Sequence, residues 1–188
     1  FDADSAYHYI KTQVDFGPRV PNTESHEKCA DFLIGKLKTY CADVMVQETT
    51  VKAYNGKPLQ IKNIIGRFNP QNNQRILLFA HWDTRPFADY CPDPERRNEP
   101  IPGANDGASG VGVLLEIARQ LKILPPKIGV DIIFFDAEDY GQPAHLNLPA
   151  VKDDWCLGSQ YWAKNPHEKD YFARFGILLD MVGARDAL

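Results

Sequence analysis

Three features of the sequence predict an α/β fold built on a mixed sheet. Short apolar runs recur at residues 76–80 (ILLFA), 129–135 (GVDIIFF) and 175–182 (FGILLDMV), the pattern of strands covered on both faces. Between the first two, residues 107–122 carry Val111, Leu114, Leu115, Ile117, Ala118 and Leu121 mostly along one helical stripe. Upstream, two segments rich in Val, Ile and Thr flank Asn55-Gly56, a pair whose tolerance of positive φ suits a tight hairpin.

Taken in chain order, residues 4–16 and 24–41 are expected to form helices, the second with Cys29, Phe32, Leu33 and Leu37 on one face. The two prolines within 16–22 make the link between them a loop. Residues 43–53 and 59–68 are expected as an antiparallel pair. The 76–80 strand, the 107–122 helix ended by Pro125-Pro126 and the 129–135 strand then make a β-α-β unit. A short helix near 159–165 precedes the strand at 175–182. Right-handed crossovers would make these three strands parallel and central, opening their carboxyl ends on one edge of the sheet.

Composition narrows the function classes. A chain of 188 residues that is 44% hydrophobic and 24% charged fits one globular domain with a sizeable core. A net charge of -4, with no basic cluster longer than Arg96-Arg97, speaks against nucleic acid as a partner. No apolar run approaches the ~18 residues a membrane-spanning helix needs. The cysteines show no CxxC spacing; Cys29 falls on a buried helix face, and Cys91 and Cys156 fall in loops where a disulfide could form in an oxidising compartment.

The chemistry gathers at the predicted sheet edge, where open α/β sheets bind ligands. His81 and Asp83 follow the first strand, Asp136, Glu138 and Asp139 the second, and Asp180 lies near the end of the third; Asp106 begins the intervening helix. Converging carboxylates repel, so burying them calls for a cation or shared protons, and carboxylate with imidazole is a donor set that suits zinc. Asp106 fits either a helix N-cap or a ligand, and the small residues of GANDGASG, which let an ion or substrate near the backbone, favour the ligand. Glu138 and Asp139 could be a solvated loop pair; as neighbours at a strand end their side chains diverge, so one can bind a metal while the other handles a substrate proton. His81 fits a ligand or an orienting residue, with Asp83 as its partner. Asp180, inside an apolar run, is costly unless it has a functional partner. Trp82 and Trp155 are expected to be packing residues.

The segments GPRVPNTESH, AHWDTRP, PGANDGASGVGVLLEIA, FFDAEDYG and LLDMVGA, in that order, resemble the superfamily that joins the zinc aminopeptidases to the animal-type glutaminyl cyclases. The resemblance implies a three-layer sandwich, a central, mixed, mostly parallel, twisted sheet flanked by helices. It also implies that Asp106 and Asp139 are zinc ligands, that Glu138 is the general acid/base, and that Asp180 holds the substrate amine or a second metal. The stretch 140–157 before Gly158-Ser159 is similar to the cyclase branch, since simple aminopeptidases reach the Gly-Ser almost at once. The implied reaction closes the N-terminal Gln of a peptide or protein to pyroglutamate with release of ammonia, using one zinc per chain. HWDTRP resembles the bacterial, Bacteroidetes-type members, which are periplasmic or lipid-anchored. Asp139 stands where the family often has Glu, one methylene or about 1.5 Å longer. The family's third ligand is a His on a later loop, which puts it beyond Leu188 and makes residues 1–188 a single catalytic domain lacking a C-terminal segment. A two-zinc aminopeptidase, with His81 and Asp180 on the second ion, and a non-catalytic binding domain of the same fold are the competing readings.

Overall fold

The computed structural model describes residues 1–183. Helix α1 (Ala3–Asp15) starts at Asp2, whose carboxylate accepts from the Asp4 and Ser5 amides. Helix α2 (Glu24–Tyr40) starts at Thr23, whose hydroxyl accepts from the His26 amide. The hairpin follows as β1 (Asp43–Lys52) and β2 (Pro58–Phe68), with Gly56 at φ +81° in its turn. Strand β3 (Arg75–His81), helix α3 (Ala108–Ile123), strand β4 (Gly129–Phe135), helix α4 (Leu157–Lys164) and the short strand β5 (Gly176–Leu178) complete the order.

The five strands form one mixed sheet in the order β1-β2-β4-β3-β5. β1 with β2 and β2 with β4 are antiparallel, whereas β3 runs parallel to both β4 and β5. Alternation along the strands divides the core between the two faces. Ile64, Leu78, Ala80, Ile132 and Phe134 point to the side where Leu33 and Leu37 of α2 and Val111, Leu114, Leu115 and Ala118 of α3 pack. Ile65, Leu77, Ile133 and Phe135 point to the other, against Trp162 of α4. The result is the three-layer α/β sandwich expected from the resemblance.

Two details differ from expectation. Among the described residues the 175–182 run is an edge rather than a central strand: only 176–178 join the ladder, and β5 pairs with β3 alone, leaving Ile177 and Leu178 half exposed. The strand stops because the chain turns at Met181 (φ +47°) to lay the Val182 and Gly183 amides on Ser109 and Asn105 at the start of α3. The last residue of the LLDMVGA motif, Ala184, lies outside the described residues. The small residues of α3 serve packing: a Cβ on Gly110 would overlap the Leu179 carbonyl, and one on Gly112 would overlap Ile10 of α1.

Candidate metal and catalytic site

Parallel pairing of β3 with β4, in the register His81↔Phe135, puts the exits of both strands side by side. His81, 2% exposed, is the hub. Its Nε2 lies 3.0 Å from Asp106 Oδ1 and 3.6 Å from Asp180 Oδ1, and its Nδ1 lies 3.4 Å from Asp83 Oδ1. Two overlapping groups have donor atoms within 4.8 Å of one another: His81 with Asp106 and Asp139, and His81 with Glu138 and Asp180. The four residues singled out in the sequence, Asp106, Glu138, Asp139 and Asp180, thus come together around one imidazole.

The N-cap of α3 is Gly107, at φ +90° and with no side-chain cap bond, so Asp106 is not spent on capping. Its carboxylate turns to His81 instead. Asp83 does more than orient that ring: wholly buried, it accepts the Glu138 amide at 3.0 Å and the Asp139 amide at 3.1 Å. Arg19, also wholly buried, donates to the carbonyls of Trp82 (3.0 Å), Pro102 (2.9 Å) and Gly103 (2.7 Å), tying the β3 exit to the turn ahead of Asp106. Sequence reasoning missed Arg19 as part of this frame. The signal was present in GPRVP, where a cation stands between prolines in an otherwise apolar stretch.

Crowding sets the proton affinities. Burial, reinforced by Asp83 and Asp106, pushes the Asp139 carboxyl up to about 8, against the opposing pull of His81. Burial likewise raises Glu138, with His81 opposing and Asp83, Asp180 and Asp106 reinforcing. Asp106 is lowered by its hydrogen bond to His81, which outweighs its burial. For His81 burial acts downward, but hydrogen bonds to Asp106, Asp180 and Asp83 together raise it well above the ordinary range. Asp139 therefore holds a proton where Asp106 does not, as expected of neighbouring carboxyls that cannot both ionise cheaply.

Among the described residues, Asp139 Oδ2 is buried without a hydrogen-bond partner. A buried, orphaned carboxylate oxygen facing a second carboxylate and an imidazole fits a divalent ion, which would supply the missing positive charge.

Several sequence expectations are corrected or resolved. Asp136 does not join the cluster; it turns away from the edge and binds His26 Nε2 at 2.9 and 3.0 Å. The reason is its position directly after β4, where its side chain faces α2 and the interior. Trp82 is a packing residue, wholly buried and stacked on His26 at 4.3 Å. Trp155 is 40% exposed, with the Arg85 guanidinium over its ring. Cys91 and Cys156 are both free thiols, so the disulfide considered from the sequence is not formed. Cys156 sits in the left-handed region with its amide on Glu138 O, and Cys91 lies in a separate turn closed on Ala88. Residues 141–156 form a loop pinned by Arg85, which donates to the carbonyls of Asp139 (3.0 Å), Gly141 (3.4 Å) and Gln142 (3.1 Å) and pairs with buried Asp89.

The profile of Peptidase family M28 matches residues 63–188. A glutaminyl-peptide cyclotransferase of Drosophila melanogaster is 29% identical over 176 residues, 90% of this chain and 46% of that protein. The crystal structure of Tannerella forsythia glutaminyl cyclase superposes with a TM-score of 0.95 at 59% identity, covering 98% of this chain and 63% of that one. A Zn-dependent exopeptidase of Parabacteroides distasonis superposes equally well, with a TM-score of 0.95, 57% identity and coverage of 97% and 62%. The chain thus spans less than half of the Drosophila relative and less than two thirds of the two solved chains.

Proposed function

The chain belongs to peptidase family M28, and from that premise we propose that it carries the metal-binding core of a zinc-dependent glutaminyl-peptide cyclotransferase. One observation carries the choice within the family. The Drosophila relative matched over 90% of the chain is a glutaminyl-peptide cyclotransferase, and the Tannerella glutaminyl cyclase covers 98% of the chain at 59% identity. The stretch 140–157 is the feature whose likeness to the cyclase branch set that reading apart in the sequence.

In this reading Asp106 and Asp139 hold the ion, with a His C-terminal to Leu188 as the third ligand. A bound zinc supplies Lewis acidity toward the side-chain amide carbonyl of an N-terminal Gln and stabilises negative charge on that oxygen. The substrate brings both reacting groups in one residue, so the chain's task is to orient them and move protons. Asp180, its side chain 32% exposed beside His81, is placed to orient the neutral α-amine. Glu138, raised by burial, holds a proton more readily than an exposed glutamate and is suited to take one and give it back. It removes the proton from the amine nitrogen as that atom bonds to the amide carbon, then delivers it to the departing nitrogen as the carbon–nitrogen bond breaks and ammonia leaves. Asp83 keeps Glu138 in place through its backbone.

The physiological partners are then peptides or proteins with an N-terminal Gln. No helix of the described residues is long and apolar enough to cross a membrane. The likeness of HWDTRP to Bacteroidetes-type members supports a periplasmic or secreted location, with a lipid anchor as one route of attachment.

A two-zinc aminopeptidase remains the second reading, favoured by the second donor group of His81, Glu138 and Asp180. Incubating full-length protein with a Gln-initiated peptide and an aminoacyl anilide separates the two. Ammonia and about one zinc per chain are expected; free amine with two zincs would overturn the cyclase reading.

A further inference from the structure

We propose that His26 and Asp136 form a buried positioning pair that sets the turn carrying Glu138 and Asp139, so that a residue of the second helix governs the metal site without touching it. Asp136 directly follows β4 and precedes that turn, and it is held at every polar atom. Its amide donates to Asn63 Oδ1 at 3.1 Å and its carbonyl accepts from the Gly158 amide at 3.0 Å. Its carboxylate accepts from the Lys62 amide at 2.7 Å, from the Ala137 amide at 2.7 Å and from His26 Nε2 at 2.9 and 3.0 Å.

The bond from the Ala137 amide is local and decides the direction of the chain. Ala137 is wholly buried in the left-handed region at φ +50°, a conformation that an L-residue adopts only when its surroundings impose it. Closing its amide onto the preceding carboxylate imposes it. The chain then emerges with the next two amides facing Asp83, 3.0 Å and 3.1 Å away. Two carboxylates thus clamp three consecutive amides, Asp136 the first and Asp83 the second and third.

His26 is what keeps the first carboxylate aimed. Among the described residues it is the one side chain that donates to Asp136, and it is itself wholly buried and stacked face to face on Trp82 at 4.3 Å and 19°. Trp82 in turn lies between His81 and Asp83 in the chain, with its amide on Phe135 O and its indole N–H on Lys62 O. The ring presents Nε2 to Asp136 although this leaves Nδ1 buried with no hydrogen-bond partner among the described residues, Glu27 Oε1 lying 3.8 Å away. An aliphatic residue would fill this space with no orphaned nitrogen, so the imidazole is explained by what it holds.

The test compares His26→Leu, which removes the donor, with His26→Gln, whose amide nitrogen can take the place of Nε2. Full-length protein is used throughout, with zinc affinity read by chelator competition and turnover read on a Gln-initiated peptide. The turnover arm rests on the cyclase reading; the zinc arm does not. His26→Leu is expected to weaken zinc binding about tenfold or more, the scale on which residues that orient metal ligands act. It should lower kcat by a similar factor with KM changed less than about twofold. His26→Gln should restore both to within about threefold of the parent, even if it melts as early as the leucine variant. A folded leucine variant with parental zinc affinity and kcat overturns the proposal, whatever its Tm. If that variant does not fold, Asp136→Asn carries the test, and parental zinc affinity there is equally fatal. A parent that binds zinc but makes no pyroglutamate sinks the cyclase reading, while the zinc comparison among variants still decides this one.

Discussion

Glu138 lies between two opposed influences, burial that favours its neutral form and the His81 ring that favours its charged one. The net effect is upward, so this carboxyl takes up a proton more readily than an exposed glutamate, as a general acid/base requires. Replacing it by the isosteric amide in Glu138→Gln should leave zinc content intact and reduce turnover by at least ~10²-fold. Unchanged turnover at full zinc occupancy would remove Glu138 from the acid/base role. Asp83 acts one step back, on the amides of residues 138 and 139 rather than on substrate. Asp83→Asn turns one acceptor oxygen into a donor facing another donor, so one of those amides loses its partner. Zinc affinity should fall about 10- to 100-fold, a loss that titration against a chelator would detect.

The 141–156 loop is an element without regular secondary structure beyond one 3-10 turn at Ala144–Leu146, and it is ordered by polar staples rather than by a core. Asp89, 1% exposed at its side chain, is the deepest of these: it pairs with Arg85, accepts the Ala144 amide at 3.2 Å and meets His145 Nδ1 at 2.9 Å. Arg85→Ala would take the guanidinium from that carboxylate and free the loop carbonyls of Gly141 and Gln142 together with that of Asp139. Removing one partner of a buried pair costs about 3–5 kcal/mol, or roughly 6–20 °C of Tm for a protein of this size. Cleavage by a protease within 141–156 should also accelerate. An unchanged melting curve and an unchanged cleavage pattern would show that the loop is held by something else.

For the whole molecule, the cluster is a source of instability that a bound cation relieves. In metal-free protein, Asp139 is raised from the carboxylate range to about 8 by burial, and His81 is raised by its carboxylate partners, which outweigh its burial. In both cases the folded state binds protons that the unfolded state has released, so stability must fall as pH rises. For Asp139 the window runs from about pH 4 to about pH 8, and His81 extends it upward. Chelator-treated protein is therefore expected to lose Tm across that window, and zinc to restore most of it at the alkaline end through mass action on the folded state. A Tm that is flat with pH in metal-free protein, or one that zinc does not raise at about pH 8, would contradict this account of the site.

Much of this was legible without coordinates. Strand 129–135 and the 43–68 hairpin follow from apolar runs and the Asn-Gly turn, because backbone period and turn chemistry are local properties. The convergence of Asp106, Glu138, Asp139 and Asp180 was legible too, because parallel strands must end on the same edge. What the sequence by itself could not determine is which polar side chain finds which partner. Asp136, Glu138 and Asp139 lie within four consecutive positions, yet one serves α2 and the others face the cluster; a single left-handed residue, Ala137, separates the two destinations. His26 and Arg19 lie in the GPRVPNTESH segment, yet their roles were not legible there because their partners lie 110 and 63 to 84 residues away. Tertiary structure decided these pairings: a buried donor must be satisfied by whatever acceptor the packed core brings near it, and sequence distance has no bearing on that.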